Sequence, residues 1–169
     1  MPTGSLGQGR SAAAGVAKGA KFLNKDINVD SLLGDGELAE GQIWEATMFA
    51  AHYKLDNLCI IVDINGLQID GRTCDVMNTE PVDAKFAAFG CDVVKVNGHD
   101  FQELEDAFAK FHANHGTGKP TAILMKTTKG KGVSYMENQA GWHGKAPNDQ
   151  EYEQAMGELK AQLAEVEGM

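Results

Sequence analysis

The chain has 169 residues, 43% apolar and 23% charged, with a mean hydropathy of −0.30, which bounds it to one globular domain with a real core and excludes a disordered or membrane-embedded chain. A formal charge of −9 and an isoelectric point near 4.9 exclude a basic nucleic-acid-binding face, so any phosphate bound here needs a local device. Cys59, Cys74 and Cys91 are odd in number and hold no CxxC pair, against a disulfide framework or zinc site, and the absence of a spanning apolar run or of a signal layout in "MPTGSLGQGR" makes cytoplasmic the expectation.

In chain order, small residues with recurring apolar ones fill "GSLGQGRSAAAGVAKGA", which predicts a loop and a helix over 7–23 packed closely against a ligand or partner. A strand follows over 28–33, although Asp30 and Ser31 stand where a buried strand prefers apolar residues. The segment 39–53, "AEGQIWEATMFAAHY", is apolar nearly all round and predicts a helix buried on more than one side. Strands over 58–63 ("LCIIVD"), 91–96 ("CDVVKV") and 121–126 ("TAILMK") alternate with helices over 81–89, 100–113 and 148–166. The helix over 100–113 presents the stripe Phe101, Leu104, Phe108 and Phe111 and is capped by His99 or Asp100. The last helix presents Tyr152, Met156, Leu159 and Leu163 and opens at Asn148 or Asp149. Alternating strands and helices define an α/β domain, a mostly parallel sheet between two helical layers.

Two long connections, 64–80 and 127–147, follow strands and therefore join Gly34-Asp35-Gly36 at the carboxyl edge of the sheet, where ligands bind in open α/β folds. Asp35 and Asn65 offer two oxygen donors at neighbouring strand ends, enough protein, with one backbone carbonyl, for a magnesium ion that keeps substrate phosphates among its ligands. The glycines admit phosphates to the backbone, and a helix starting near residue 38 adds partial positive charge. Taken singly, Gly-Asp-Gly and Asn65-Gly66 also fit ordinary turns.

With "GSLGQG", "GDGELAEGQIWEA", "LDNLCIIVDINGLQIDG", "VNGHD", "KGKGV" and "WHGKAPND" in this order, and Asp35 thirty residues before Asn65, the sequence resembles the transketolase family of thiamine-diphosphate enzymes. The resemblance implies Asp35, Asn65 and the carbonyl of Leu67 as ligands of Mg2+, or of Ca2+ in its place, with Gly34, Gly36 and Glu37 beside the diphosphate. It implies Gly4 and Leu6 along the cofactor ring, Lys129 and His143 near the phosphates and the reacting centre, and Glu40 and Glu45 as acids linking two active sites across a homodimer. By themselves His143 and Lys129 also read as loop residues, and Glu40 and Glu45 as surface acids, though the apolar setting of 39–53 favours burial of at least one. Arg10 departs from the family pattern, which has an aliphatic residue there.

The family moves a two-carbon ketol unit between ketose and aldose phosphates in the pentose phosphate pathway. The resemblance therefore implies one diphosphate-binding domain over 1–169, lacking the family's upstream segment and the pyrimidine-binding domain, which a separate subunit would supply. Neighbouring possibilities are a deoxyxylulose-phosphate synthase, a ketoacid dehydrogenase component, and a non-catalytic diphosphate-binding module. Neither nucleic acid nor membrane is expected as a partner.

Overall fold

A computed structural model describes residues 3–168. Four parallel strands form its sheet in the order β1 (Val29–Gly34), β2 (Leu58–Ile64), β6 (Thr121–Lys126) and β5 (Asp92–Asn97). Helix α1 (Gln8–Phe22) precedes the first strand, α2 (Gly41–His52), α4 (Val82–Ala88) and α5 (Phe101–Ala113) run between strands, and α6 (Asp149–Glu167) closes the order. The predicted strands and helices all form, with ends moved by one or two residues.

The period of two along β2 explains the layering. Ile60 and Val62 point to one face, where they meet Leu38 and Ile43 beside α2 and Val82 and Phe86 of α4. Cys59 and Ile61 point to the other, where they meet Ala107 and Phe111 of α5. Truncating a wholly buried ring such as Phe111 to alanine costs about 3–5 kcal/mol in sites of this kind. A third cluster, Ala14, Ala17, Ala46, Ala50, Leu55 and Leu58, joins α1 to α2, and the alanines let the two helices approach closely.

Two apolar stripes differ from expectation, and a third face is left partly open. In α5 the buried face is Ala107 and Phe111 with Leu104 and Phe108 half-buried, while Phe101 is 88% exposed, because Asp100 caps the helix through the Gln102 and Glu103 amides and puts Phe101 at its open first turn. In α2 Ile43, Ala46, Thr47 and Ala50 are buried, Ile43 toward the sheet and Ala46 and Ala50 toward α1, while Met48 and Phe49 lie open, so the helix is not covered all round. In α6 Ala155 is buried, whereas Tyr152, Leu159 and Leu163 are exposed, since the helix docks on residues 132–135 rather than on the sheet. Its start is fixed by an Asn148–Glu151 capping box.

Asp30 and Leu32 explain the irregularity of β1. It is an edge strand whose α5-side face has no cover, so Leu32 is 67% exposed while Ser31 and Leu33 are buried on the α2 side. The two long connections are also ordered: 64–80 folds into a small hairpin, β3 (Leu67–Gln68) with β4 (Gly71–Arg72), and a turn of helix, α3 (Thr73–Val76).

Candidate functional site at the carboxyl edge of the sheet

The sheet ends fix the site. Gly34 of β1 stands in register with Asp63 of β2, and Ile64 with Lys126 of β6, so the residues after each strand emerge side by side. Asp35 continues the ladder through its amide to the Asp63 carbonyl at 3.0 Å. Its carboxylate then turns inward, only 3% of the residue being exposed, and accepts the Gly36 amide at 2.8 Å and the Gly66 amide at 2.6 Å. Burial raises its pKa above the ordinary carboxylate range and nearby Asp63 adds to that, while the two amides and Lys126 oppose it. A cation beside it would favour the charged form.

Asn65 forms a tight turn, its Oδ1 accepting the Leu67 amide at 3.0 Å while its Nδ2 donates to Asp63 Oδ1 at 3.4 Å. Asp63 also accepts the Thr127 hydroxyl, which binds the root of the 127–147 connection to β2. Farther along that connection Lys129 Nζ lies 3.3 Å from His143 Nδ1. Gly130 sits at φ +73°, where a Cβ would come within 2.5 Å of the Met136 carbonyl oxygen, so the turn requires glycine. Trp142 Nε1, donating to the Tyr135 carbonyl at 3.0 Å, anchors the chain just before His143.

These groups surround one cavity of about 480 Å³. Asp35, Asn65 and Leu67 line it together with Gly34, Gly36 and Glu37. Gly4 and Leu6 close one side, and Lys129 and His143 are also at its wall. Glu37 is engaged internally, its two oxygens accepting the amides of Gly7 at 2.7 Å and Gly34 at 3.3 Å. Glu40 and Glu45 lie outside this cavity and are exposed in the single chain, because α2 turns its other face to the core. The helical charge expected near residue 38 is also displaced: residues 36–39 form a short 3₁₀ turn capped by Asp35, and α2 starts only at Gly41.

Gln68, Ile69, Asp63 and Thr127 were not legible as site residues. Gln68 and Ile69 line the cavity because the β3–β4 hairpin folds back over Gly36. The acid two residues before Asn65 was the available signal for Asp63, while nothing in the sequence marked its pairing with Thr127.

The oxygen-rich set fits a hard cation with a phosphate ligand: one carboxylate, one carboxamide and a neighbouring backbone carbonyl, with space above Gly34 and Gly66, where an added Cβ would meet nothing within 4 Å. Among the described residues there is no cluster of three His, Cys, Asp or Glu for a softer metal. Fold and site thus define a parallel α/β domain with an oxygen-lined cavity at its carboxyl edge, whose donor set fits a hard cation and a phosphate.

Comparison with known proteins gives the family. The family model "Transketolase, thiamine diphosphate binding domain" matches residues 1–164, and the chain belongs to the transketolase family. Over 160 residues it is 44% identical to an apulose-4-phosphate transketolase subunit from Actinobacillus succinogenes, covering 95% of this chain and 57% of that protein. It is 43% identical over 164 residues to human transketolase, covering 96% of this chain and 26% of that one. The crystal structure of transketolase from Campylobacter jejuni superposes with a TM-score of 0.83 at 35% identity, over 90% of this chain and 25% of that chain. The chain therefore spans little more than half the length of the subunit-type relative. No helix among the described residues is long and apolar enough to cross a membrane.

Proposed function

We propose that this chain is the diphosphate-binding part of a transketolase assembled from separate subunits, and that it holds thiamine diphosphate through Mg2+, or Ca2+ in its place. The observation that carries this reading is the convergence of Asp35, Asn65 and Leu67 with Lys129 and His143 on one cavity. Asp35 and Asn65 hold the cation, with Leu67 contributing its carbonyl, and the open space at Gly34 and Gly66 admits the diphosphate, while Gly36 leaves room for the Gln68 side chain. Bound thiamine diphosphate supplies the nucleophilic carbon for moving a two-carbon ketol unit between ketose and aldose phosphates. The residues of this chain bind and orient it, and the Lys129–His143 pair places a cation and a proton-exchanging group beside the phosphates or reacting centre.

The subunit-type relatives, of which this chain spans just over half, support a separate pyrimidine-binding partner chain. The open side of α2, with Met48, Phe49 and Glu45, supports a homodimer in which Glu40 and Glu45 face a second copy. A cytoplasmic setting and the pentose phosphate pathway complete the proposal. Calorimetric titration of thiamine diphosphate with Mg2+ into the wild-type chain and into Asp35→Asn tests it: binding that needs both Mg2+ and Asp35 is expected. Equal binding by both proteins, or none by the wild type, would refute the site.

A further inference from the structure

Gln68, on the wall of the same cavity, carries an unused acceptor. Its Oε1 is buried and has no hydrogen-bond partner among the described residues, and the residue lines the wall with Asp35, Asn65 and Leu67. Two constraints hold it there. Gln68 pairs with Gly71 in the β3–β4 hairpin, and its Cβ presses on the Gly36 backbone so closely that a Cβ on Gly36 would lie 2.9 Å away, with Oε1 at 3.4 Å from the same point. The other orphaned side chains, Arg10 and Asn57, do not line this cavity.

A buried carbonyl oxygen without a donor is unfavourable, and such an atom at a ligand cavity is satisfied when a ligand brings a hydrogen. Of the side-chain donors on the wall, Asn65 Nδ2 is given to Asp63 and Lys129 Nζ lies on His143, and a diphosphate at neutral pH has few hydrogens to give. A magnesium ion held by few protein ligands keeps some of its water, and coordinated water is a strong donor. We infer that Gln68 is a positioning residue whose Oε1, brought to the cavity by a turn of its terminal amide, accepts a hydrogen bond from a water of the bound magnesium ion. The inference rests on the reading of this cavity as a magnesium and diphosphate site. It assigns the hairpin a part in holding the hydrated ion, beyond the ligands Asp35, Asn65 and Leu67.

The test titrates Mg2+ into the full chain saturated with thiamine diphosphate and, separately, melts the protein without ligand. Gln68→Leu removes the acceptor at similar volume, so magnesium affinity should fall about tenfold, the lower end for loss of an outer partner of a metal site. The same change relieves an orphaned polar atom in the unliganded chain, so its melting temperature should rise by a few degrees. Gln68→Glu restores an acceptor and should bind Mg2+ more tightly than the Leu variant. A merely structural Gln68 would not move affinity and unliganded stability in opposite directions. Unchanged magnesium affinity in Gln68→Leu, or equal losses in the Leu and Glu variants, would overturn the inference while leaving the site reading intact. A wild-type chain that binds no Mg2+ with thiamine diphosphate would overturn that reading and the inference with it.

Discussion

The Asp35 carboxylate accepts the Gly66 amide at 2.6 Å across 31 positions of sequence, tying the end of β1 to the turn that carries Asn65. A candidate metal ligand is therefore also a structural bond between two strand ends. Asp35→Ala should lower unliganded stability by about 1–3 kcal/mol, because it leaves the Gly36 and Gly66 amides without their acceptor. Asp35→Asn keeps an acceptor oxygen and should lose less. Both should lack the extra stability that ligand gives the wild type, about 2.7 kcal/mol at a hundred times the Kd. Thermal melts with and without Mg2+ and thiamine diphosphate check this, and a full ligand-induced shift in either variant would contradict it.

Glu37 ties the loop at residues 3–7 to the end of β1. It joins the Gly7 and Gly34 amides, and Gln42 holds the same loop by donating to the Leu6 carbonyl at 3.3 Å. Glu37→Ala should free that loop, which lies on the side assigned to the cofactor ring. Ordering one backbone residue again costs about 1–2 kcal/mol, so thiamine diphosphate affinity should fall about tenfold. Affinity for magnesium pyrophosphate, which has no ring, should change little. Equal losses for both ligands would place Glu37 at the diphosphate instead.

Arg10 is 0% exposed and none of its three side-chain nitrogens has a partner among the described residues. Burial lowers its pKa to about 10, with Cys91 opposing the shift, so it remains charged at neutral pH. Replacing a poorly paired buried charge with an apolar side chain of similar length often stabilises by about 1–4 kcal/mol. Arg10→Met should raise the denaturation midpoint accordingly. A fall would mean that the guanidinium has a partner in solution.

The elements were legible because parallel strands buried on both faces read as the continuous runs "LCIIVD" and "TAILMK", and because Asp100 and Asn148 are cap residues followed by acids. Legibility failed where the answer depends on what packs above a face. The composition of α2 cannot say which side meets the sheet, and the stripe of α6 cannot say that the helix docks on residues 132–135 and leaves Leu159 and Leu163 open. At the site, Asp35 and Asn65 were visible as strand-end oxygens. Gln68 was not, since its place on the wall follows from a hairpin folding over Gly36 rather than from any local pattern.

Asp56 sets the acid sensitivity expected at the opposite end of the sheet. Its side chain is nearly buried at the start of β2 and accepts Lys21 Nζ of α1 and the amides of Gly116 and Gly118, each amide at 2.9 Å, from the α5–β6 turn. Burial by itself would raise its pKa, but the Lys21 ammonium and the two amides outweigh it and hold the carboxyl below its ordinary value. A carboxylate depressed in the folded state binds its proton more readily in the unfolded chain. Its stabilising effect is therefore complete well above the unfolded pKa of about 3.9 and is lost as pH falls through that value and then the lower folded one. Asp56→Asn should cost about 1.5–3 kcal/mol at pH 7, the range for hydrogen bonds to a charged group. The gap between the variant and the wild type should narrow below about pH 4 as the native carboxylate is protonated. Urea midpoints measured for both proteins from about pH 7 to pH 3 check the sign, and a gap that widens on acidification would mean that the folded pKa is raised.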